Sequence, residues 1–244
     1  MDHSEFIRAS RCADTVVLCI HGIMGTPRHF DRFLSVISDD WDICNILLDG
    51  HGGTVRDFTA TSMAKWQQQV RDRIVQLSAR YENIVILAHS MGTLLAMNAV
   101  SAYPEKIRKM VLLAVPLRIA VKPVMVMRAL RYACETLRTD DPWESALKDA
   151  GSVAADRRLW RYLKTIPRYW ELLKLSVCSR REEIPVPCMV FQSRKDELVS
   201  VKSVQYFASV PYIQCRVLEN SGHFYYPPQD IELMLDAIKN FLQE

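Results

Sequence analysis

The chain has 244 residues, 49% of them hydrophobic and 24% charged, with a formal net charge of +3. That length suits one sizeable core, so a single domain over residues 1–244 is expected, and so weak a charge, without a basic run interleaved with aromatics, argues against a nucleic-acid partner. No apolar stretch approaches bilayer-spanning length and residues 1–11 lack the apolar run of a secretory signal, so the expectation is a cytoplasmic protein without stable membrane insertion.

Residues 14–20 form a β-branched, apolar run ending at His21-Gly22, and the absence of polar alternation predicts a strand buried on both faces. Pro27 suits a first helical turn, and Phe30, Phe33, Leu34 and Ile37 recur behind it at helical spacing. Residues 41–48 read as a second strand, stopped by the turn Asp49-Gly50-His51-Gly52-Gly53. Thr61 or Ser62 is placed to cap a long helix reaching Tyr81, with Met63, Trp66, Val70, Ile74 and Leu77 on one stripe. A strand over 83–88 runs directly into a helix over 91–102, and a further strand spans 109–115.

The alternation then stops. Residues 117–183 contain no convincing strand but helical runs such as 124–138 and 159–175, with Trp143, Trp160 and Trp170 among them, and they predict a helical cap inserted into the domain. Strands resume at 187–192 and 213–218, and an amphipathic helix over 230–242 closes the chain. The whole predicts an α/β fold, a mostly parallel sheet with helices on both faces. The seven cysteines are scattered singly, without the short spacing of a zinc site or redox motif, and read as reduced thiols; neither a metal nor a cofactor is implied.

The decisive segment is Ala88-His89-Ser90-Met91-Gly92, between a buried strand and a helix. A serine hydroxyl is a poor nucleophile unless it is exposed at a sharp turn, next to a base and next to donors for an oxyanion. Such a turn brings strand and helix backbones together, so small residues are needed two positions before and after the serine. Ala88 and Gly92 meet that need, with alanine in place of the first glycine of Gly-x-Ser-x-Gly. Taken alone, Ser90 is equally well read as the N-cap of the following helix.

A base must follow the nucleophile in a chain of this order, and of six histidines only His223 does, in the loop after the last predicted strand. The acid is expected after the preceding strand, where Asp196 is the choice and Glu197 the alternative. Pro116-Leu117-Arg118, after the strand ending near Val115, offers no carboxylate. Acyl transfer also needs two backbone donors. One is Met91, at the start of a helix, where the N–H is free. The second is assigned to Ile23 in His21-Gly22-Ile23-Met24-Gly25, with Met24 as the alternative; His21 itself reads as a structural hydrogen-bonding group.

With these residues in order, the chain resembles the α/β-hydrolase superfamily over nearly its whole length. In detail it is similar to the carboxylesterase and monoacylglycerol-lipase branch, with a short His-Gly-x-x-Gly loop, Gly50-His51-Gly52, and His-Ser-Met-Gly at the serine. The resemblance implies Ser90, Asp196 and His223 as a catalytic triad, Ile23 and Met91 as the oxyanion hole, and a cap that shapes an acyl pocket. The expected partner is a small-molecule carboxylic ester, short- to medium-chain acyl or monoacylglycerol-like, cleaved through an acyl-serine; the oligomeric state is left open.

Three other readings share the sequence. A thioesterase or acyltransferase would use the same triad, and a proline-type aminopeptidase would need a carboxylate for the substrate amine, such as Glu135, Glu144 or Glu171. A non-catalytic ligand-binding protein on this fold would be expected to have lost a triad member. Residues 118–183 carry 14 Lys/Arg against 9 Asp/Glu, compatible with a solvated helical surface, with steering of anionic substrates or with rest against an acidic lipid surface. Val124, Met125, Val126, Met127 and Leu130 fit either an acyl site or packing of the cap onto the sheet.

Overall fold

A computed structural model describes residues 3–10, 12–181 and 183–244. Among the described residues seven strands form one sheet: β1 (Phe6–Arg8), β2 (Thr15–Ile20), β3 (Asp42–Ile46), β4 (Asn83–His89), β5 (Ile107–Leu113), β6 (Cys188–Ser193) and β7 (Ile213–Leu218). Their spatial order is β1-β3-β2-β4-β5-β6-β7, with β1 antiparallel to β3 and all other pairs parallel. The α/β architecture expected from the alternation is therefore present, with β4 at the centre of the sheet.

The helices are α1 (Val55–Thr59), α2 (Met63–Ser78), α3 (Met91–Val100), α4 (Pro123–Ala133), α5 (Pro142–Ala150), α6 (Ile166–Ser179) and α7 (Pro228–Gln243). Short 3-10 helices cover Pro27–Val36, Leu159–Thr165 and Val201–Tyr206. Ser62 caps α2, its hydroxyl accepting from the Lys65 N–H at 3.2 Å. The segment after Pro27 is thus helical but of the tighter 3-10 kind, with Phe30 and Phe33 fully buried.

Alternate residues of β2 enter different cores. Val16, Leu18 and Ile20 pack with Trp66 and Val70 of α2 and Leu94 of α3, whereas Val17 and Cys19 pack with Phe30, Phe33 and Ile238 of α7. Apolar side chains are needed on both faces, which is why β2 and β4 show no polar alternation. Between β5 and β6 the described residues hold three α-helices, α4, α5 and α6, and no strand of the sheet; Val199 makes a single antiparallel bridge to Ile119 at its edge.

Candidate active site

The strand-to-helix turn at Ser90 is sharply bent. Ser90 has φ 52° and ψ −124°, a conformation rarely adopted by a residue with a Cβ, and its side chain makes no capping bond to α3. The capping alternative therefore fails: Oγ lies 3.0 Å from His223 Nε2. The turn closes only because Gly92 carries no side chain, since a Cβ there would stand 2.1 Å from the Ile20 carbonyl oxygen and 2.7 Å from that of His21. Gly22 abuts the serine from the other side, where a Cβ would come within 2.9 Å of Ser90 Cβ.

His223 Nδ1–H donates to Asp196 Oδ2 at 2.8 Å, and the second oxygen of Asp196 accepts the N–H groups of Leu198 and Val199 at 2.7 and 2.8 Å. Both oxygens of the carboxylate are thereby engaged, and the Nδ1–H bond to Asp196 fixes the imidazole tautomer with Nε2 as acceptor toward Ser90. The sequence alternative Glu197 does something different. Its Oε2 accepts the backbone N–H of His223 at 2.9 Å, while Oε1 is ion-paired with Arg128 of α4 in a contact nearly closed to solvent. The Arg128 guanidinium lies over the Trp143 ring of α5, and Trp143 rests against Gly222 and Tyr225, the residues flanking the His223-Phe224 step.

The two assigned backbone donors are differently supported from their alternative. Met24 N–H is already engaged, donating to His51 Nε2 at 3.0 Å. Among the described residues, no acceptor engages the N–H of Ile23, and the N–H of Met91 is at the first position of α3, where no intrahelical acceptor exists. His51 is in turn fixed by Nδ1–H, which points at the carbonyls of Leu48 and Asp49 at 3.1 and 3.2 Å. His21 donates to Gly22 O at 2.8 Å and accepts from Leu48 N–H at 3.0 Å, the structural part read from the sequence.

Five of the six histidines converge here. The rings of His29 and His89 are 4.0 Å apart, those of His89 and His223 4.8 Å, and those of His21 and His51 4.7 Å. His89 Nε2–H donates to the His223 carbonyl at 3.0 Å and so supports the base from behind. Burial holds the pKa values of His21, His29 and His89 well below the ordinary imidazole value and lowers that of His51 to about 4. These four rings are neutral near neutral pH, His21, His51 and His89 as hydrogen-bonding groups and His29 as a packing group against Phe30 and His89.

A cavity of about 400 Å³ adjoins the site. Ile23, Leu198 and Phe224, each next to one of the site's loops, form part of its wall together with Met125, Ala129 and Leu130 of α4. Among the described residues, no charged side chain lines it. The three carboxylates considered for binding an amine are elsewhere and engaged: Glu144 pairs with Arg131, Glu135 with Arg157, and Glu171 with Arg168. Among the described residues no group of His, Cys, Asp and Glu is arranged to hold a metal ion.

A family model described as alpha/beta hydrolase family matches residues 17–237. The chain belongs to the alpha/beta hydrolase family. It is 22% identical over 232 residues to a thermostable monoacylglycerol lipase of Bacillus sp. (strain H-257), covering 86% of this chain and 89% of that one. Among solved structures, one of the metagenome-derived lipolytic enzymes LipS and LipT superposes with a TM-score of 0.73 at 18% identity, covering 99% and 98% of the two chains. The monoacylglycerol lipase of Paleococcus ferrophilus superposes with a TM-score of 0.69 at 14% identity, covering 99% of this chain and 98% of that one. Membership explains why the site sits beyond the carboxyl ends of the parallel strands, where the β4 turn and the loops after β2, β6 and β7 meet.

Proposed function

We propose that this α/β hydrolase cleaves carboxylic esters with an apolar acyl group through an acyl-Ser90 intermediate. The observation that carries the reading is the chain of contacts from Asp196 Oδ2 to His223 and from His223 Nε2 to Ser90 Oγ, at 2.8 and 3.0 Å, beside a cavity that no charged side chain lines among the described residues. The lipase among its sequence relatives supports the same substrate class.

In this mechanism His223 Nε2 takes the hydroxyl proton as Ser90 Oγ bonds to the carbonyl carbon, and the electron pair displaced onto the carbonyl oxygen is met by the N–H groups of Ile23 and Met91. Asp196 holds the tautomer and stabilises the imidazolium. Collapse of the intermediate breaks the bond to the leaving alcohol, which receives the proton from His223. Water then attacks the acyl-Ser90 ester by the same route and releases the acid and the free serine. The acyl chain occupies the cavity, and residues 117–183 act as its cap: α4 supplies a wall of Val121, Met125, Val126 and Leu130 with its neighbouring residues. An aminopeptidase reading is disfavoured because Glu135, Glu144 and Glu171 are spent in ion pairs and none borders the cavity.

The test is a fluorophosphonate probe together with p-nitrophenyl esters of graded acyl length, beside acyl-CoA and aminoacyl substrates. Ser90→Ala is expected to abolish labelling and to lower ester turnover about 10⁴-fold or more. Persistent turnover in Ser90→Ala would sink the assignment, and faster turnover of acyl-CoA than of any ester would move the protein to the thioesterases.

A further inference from the structure

The exposed face of α6 runs against the usual rule for a surface helix. Ile166, Trp170, Leu173 and Val177 are spaced four, three and four residues apart, which aligns them on one side, and all are exposed. Leu172, Leu175, Ser176 and Ser179 occupy the opposite side and are buried. The 3-10 helix before α6 adds Trp160 and Leu163, so the segment presents Trp160, Leu163 and Trp170 at 60%, 66% and 61% exposure. Packing demand does not explain this placement, because the core is already served by the other side of the helix.

Charge identifies what covers it. Residues 157–181 carry eight Lys/Arg and one acid, Glu171; Arg157, Arg158, Arg161 and Arg168 are held in ion pairs with Glu135, Asp156 and Glu171, and the other four, Lys164, Lys174, Arg180 and Arg181, are in no ion pair among the described residues. Lys164 and Lys174, both exposed and flanking the apolar stripe, have no carboxylate partner among the described residues. A second copy docking symmetrically would set this basic face against itself. A bilayer with anionic headgroups satisfies both features at once, taking the indoles and aliphatic side chains at its interface and pairing Lys164 and Lys174 with phosphate.

We infer that the outward face of residues 160–177 is a docking surface for an anionic lipid bilayer, on which the protein rests peripherally. The surface is continuous with the cavity, since Leu159 and Tyr169 are exposed and also line the cavity wall. Docking therefore brings the cavity mouth to the lipid layer. The inference goes beyond the ester-hydrolase proposal and does not require it.

Co-sedimentation with vesicles tests it directly, using equal parts phosphatidylcholine and phosphatidylglycerol against pure phosphatidylcholine, at low and high salt. The wild type is expected to pellet with the anionic vesicles, with a blue shift of tryptophan emission, and to be released by salt. Trp170→Ser/Leu173→Ser removes apolar anchors and is expected to weaken binding about tenfold or more. Lys164→Glu/Lys174→Glu is expected to weaken binding to the anionic vesicles alone. Both variants change exposed residues, so unaltered thermal unfolding confirms that only the surface has changed. A wild type that stays in the supernatant with anionic vesicles, or either variant binding as the wild type does, overturns the inference. So does a wild-type dimer that Trp170→Ser/Leu173→Ser converts to monomer, which would give the face to a second copy. Ser90→Ala is expected to bind as the wild type does, so a failure of ester hydrolysis and a failure of docking are read separately.

Discussion

Ser90 holds a backbone conformation that costs a non-glycine residue about 1–3 kcal/mol, and the surrounding turn has to impose it. Gly92 is where that imposition is concentrated, because the Ile20 carbonyl would be 2.1 Å from any Cβ at this position. Gly92→Ala is therefore expected to lower stability by about 3 kcal/mol or more, at or beyond the upper end of overpacking costs, since backbone on β2 and α3 must separate. Ala88→Gly, two residues before the serine, is expected to cost only about 0.5–1 kcal/mol through chain entropy. Urea unfolding midpoints of the two variants check the contrast, and equal costs would contradict the close-approach account. The sequence pattern around Ser90 was legible at this scale because it is local: small residues, strand and helix signals coincide within five positions. Chain order led to His223 and Asp196, which lie within hydrogen-bonding distance of their neighbours in the site. The parts taken by His51, His89 and Glu197 were not legible. Each depends on a partner far away in sequence, such as His51 with Met24 or Glu197 with His223, and no local pattern announces such pairs.

Helices α4 and α5 do more than line the cavity. Through Arg128 and Trp143 they bear on the loops that carry Asp196 and His223, and Glu197 is the junction, with one oxygen on Arg128 and the other on the His223 N–H. We propose Arg128 and Glu197 as positioning residues. Removing one member of a buried pair leaves an uncompensated charge, typically at a cost of about 3–5 kcal/mol, whereas removing both is far milder. Arg128→Met is thus expected to lower kcat about tenfold or more with little change in KM, and Arg128→Met/Glu197→Gln to recover part of the loss. A fall in Tm with kcat untouched in Arg128→Met would make the pair a stability element only. At this scale the strands buried on both faces were readable as continuous apolar runs. β1, with three residues paired along one edge, was too short to leave a pattern, and so was the five-residue α1. The helical run over 159–175 is broken into a 3-10 helix and α6 at Ile166-Pro167, because proline lacks the N–H that a continuous helix would use there. α4 ends at Ala133, followed by Glu135 at φ 57°, so the run expected to reach residue 138 is shorter.

For the molecule as a whole, burying neutral imidazoles ties stability to pH. His21, His29, His51 and His89 all have folded pKa values below the ordinary 6.5, so between that value and about 4, where His51 titrates, the unfolded chain binds protons that the folded chain does not. Stability is then fully present above pH 6.5 and falls as pH drops, with a slope of about 1.4 kcal/mol per pH unit for each such proton. Thermal melts from pH 8 down to pH 4 are expected to show a plateau followed by a steep decline in Tm, and a Tm that rises on acidification would contradict the neutral-ring account. Composition could count the histidines but not gather them, since their convergence is produced by the loops after β2, β3, β4 and β7 meeting at one end of the sheet. That gathering makes the molecule unusually transparent to magnetic resonance. Imidazole nitrogen signals from His21, His29, His51, His89 and His223 all originate within one neighbourhood, so selective isotope labelling of a single amino-acid type yields a spectrum of the site with almost no background from the remainder of the chain.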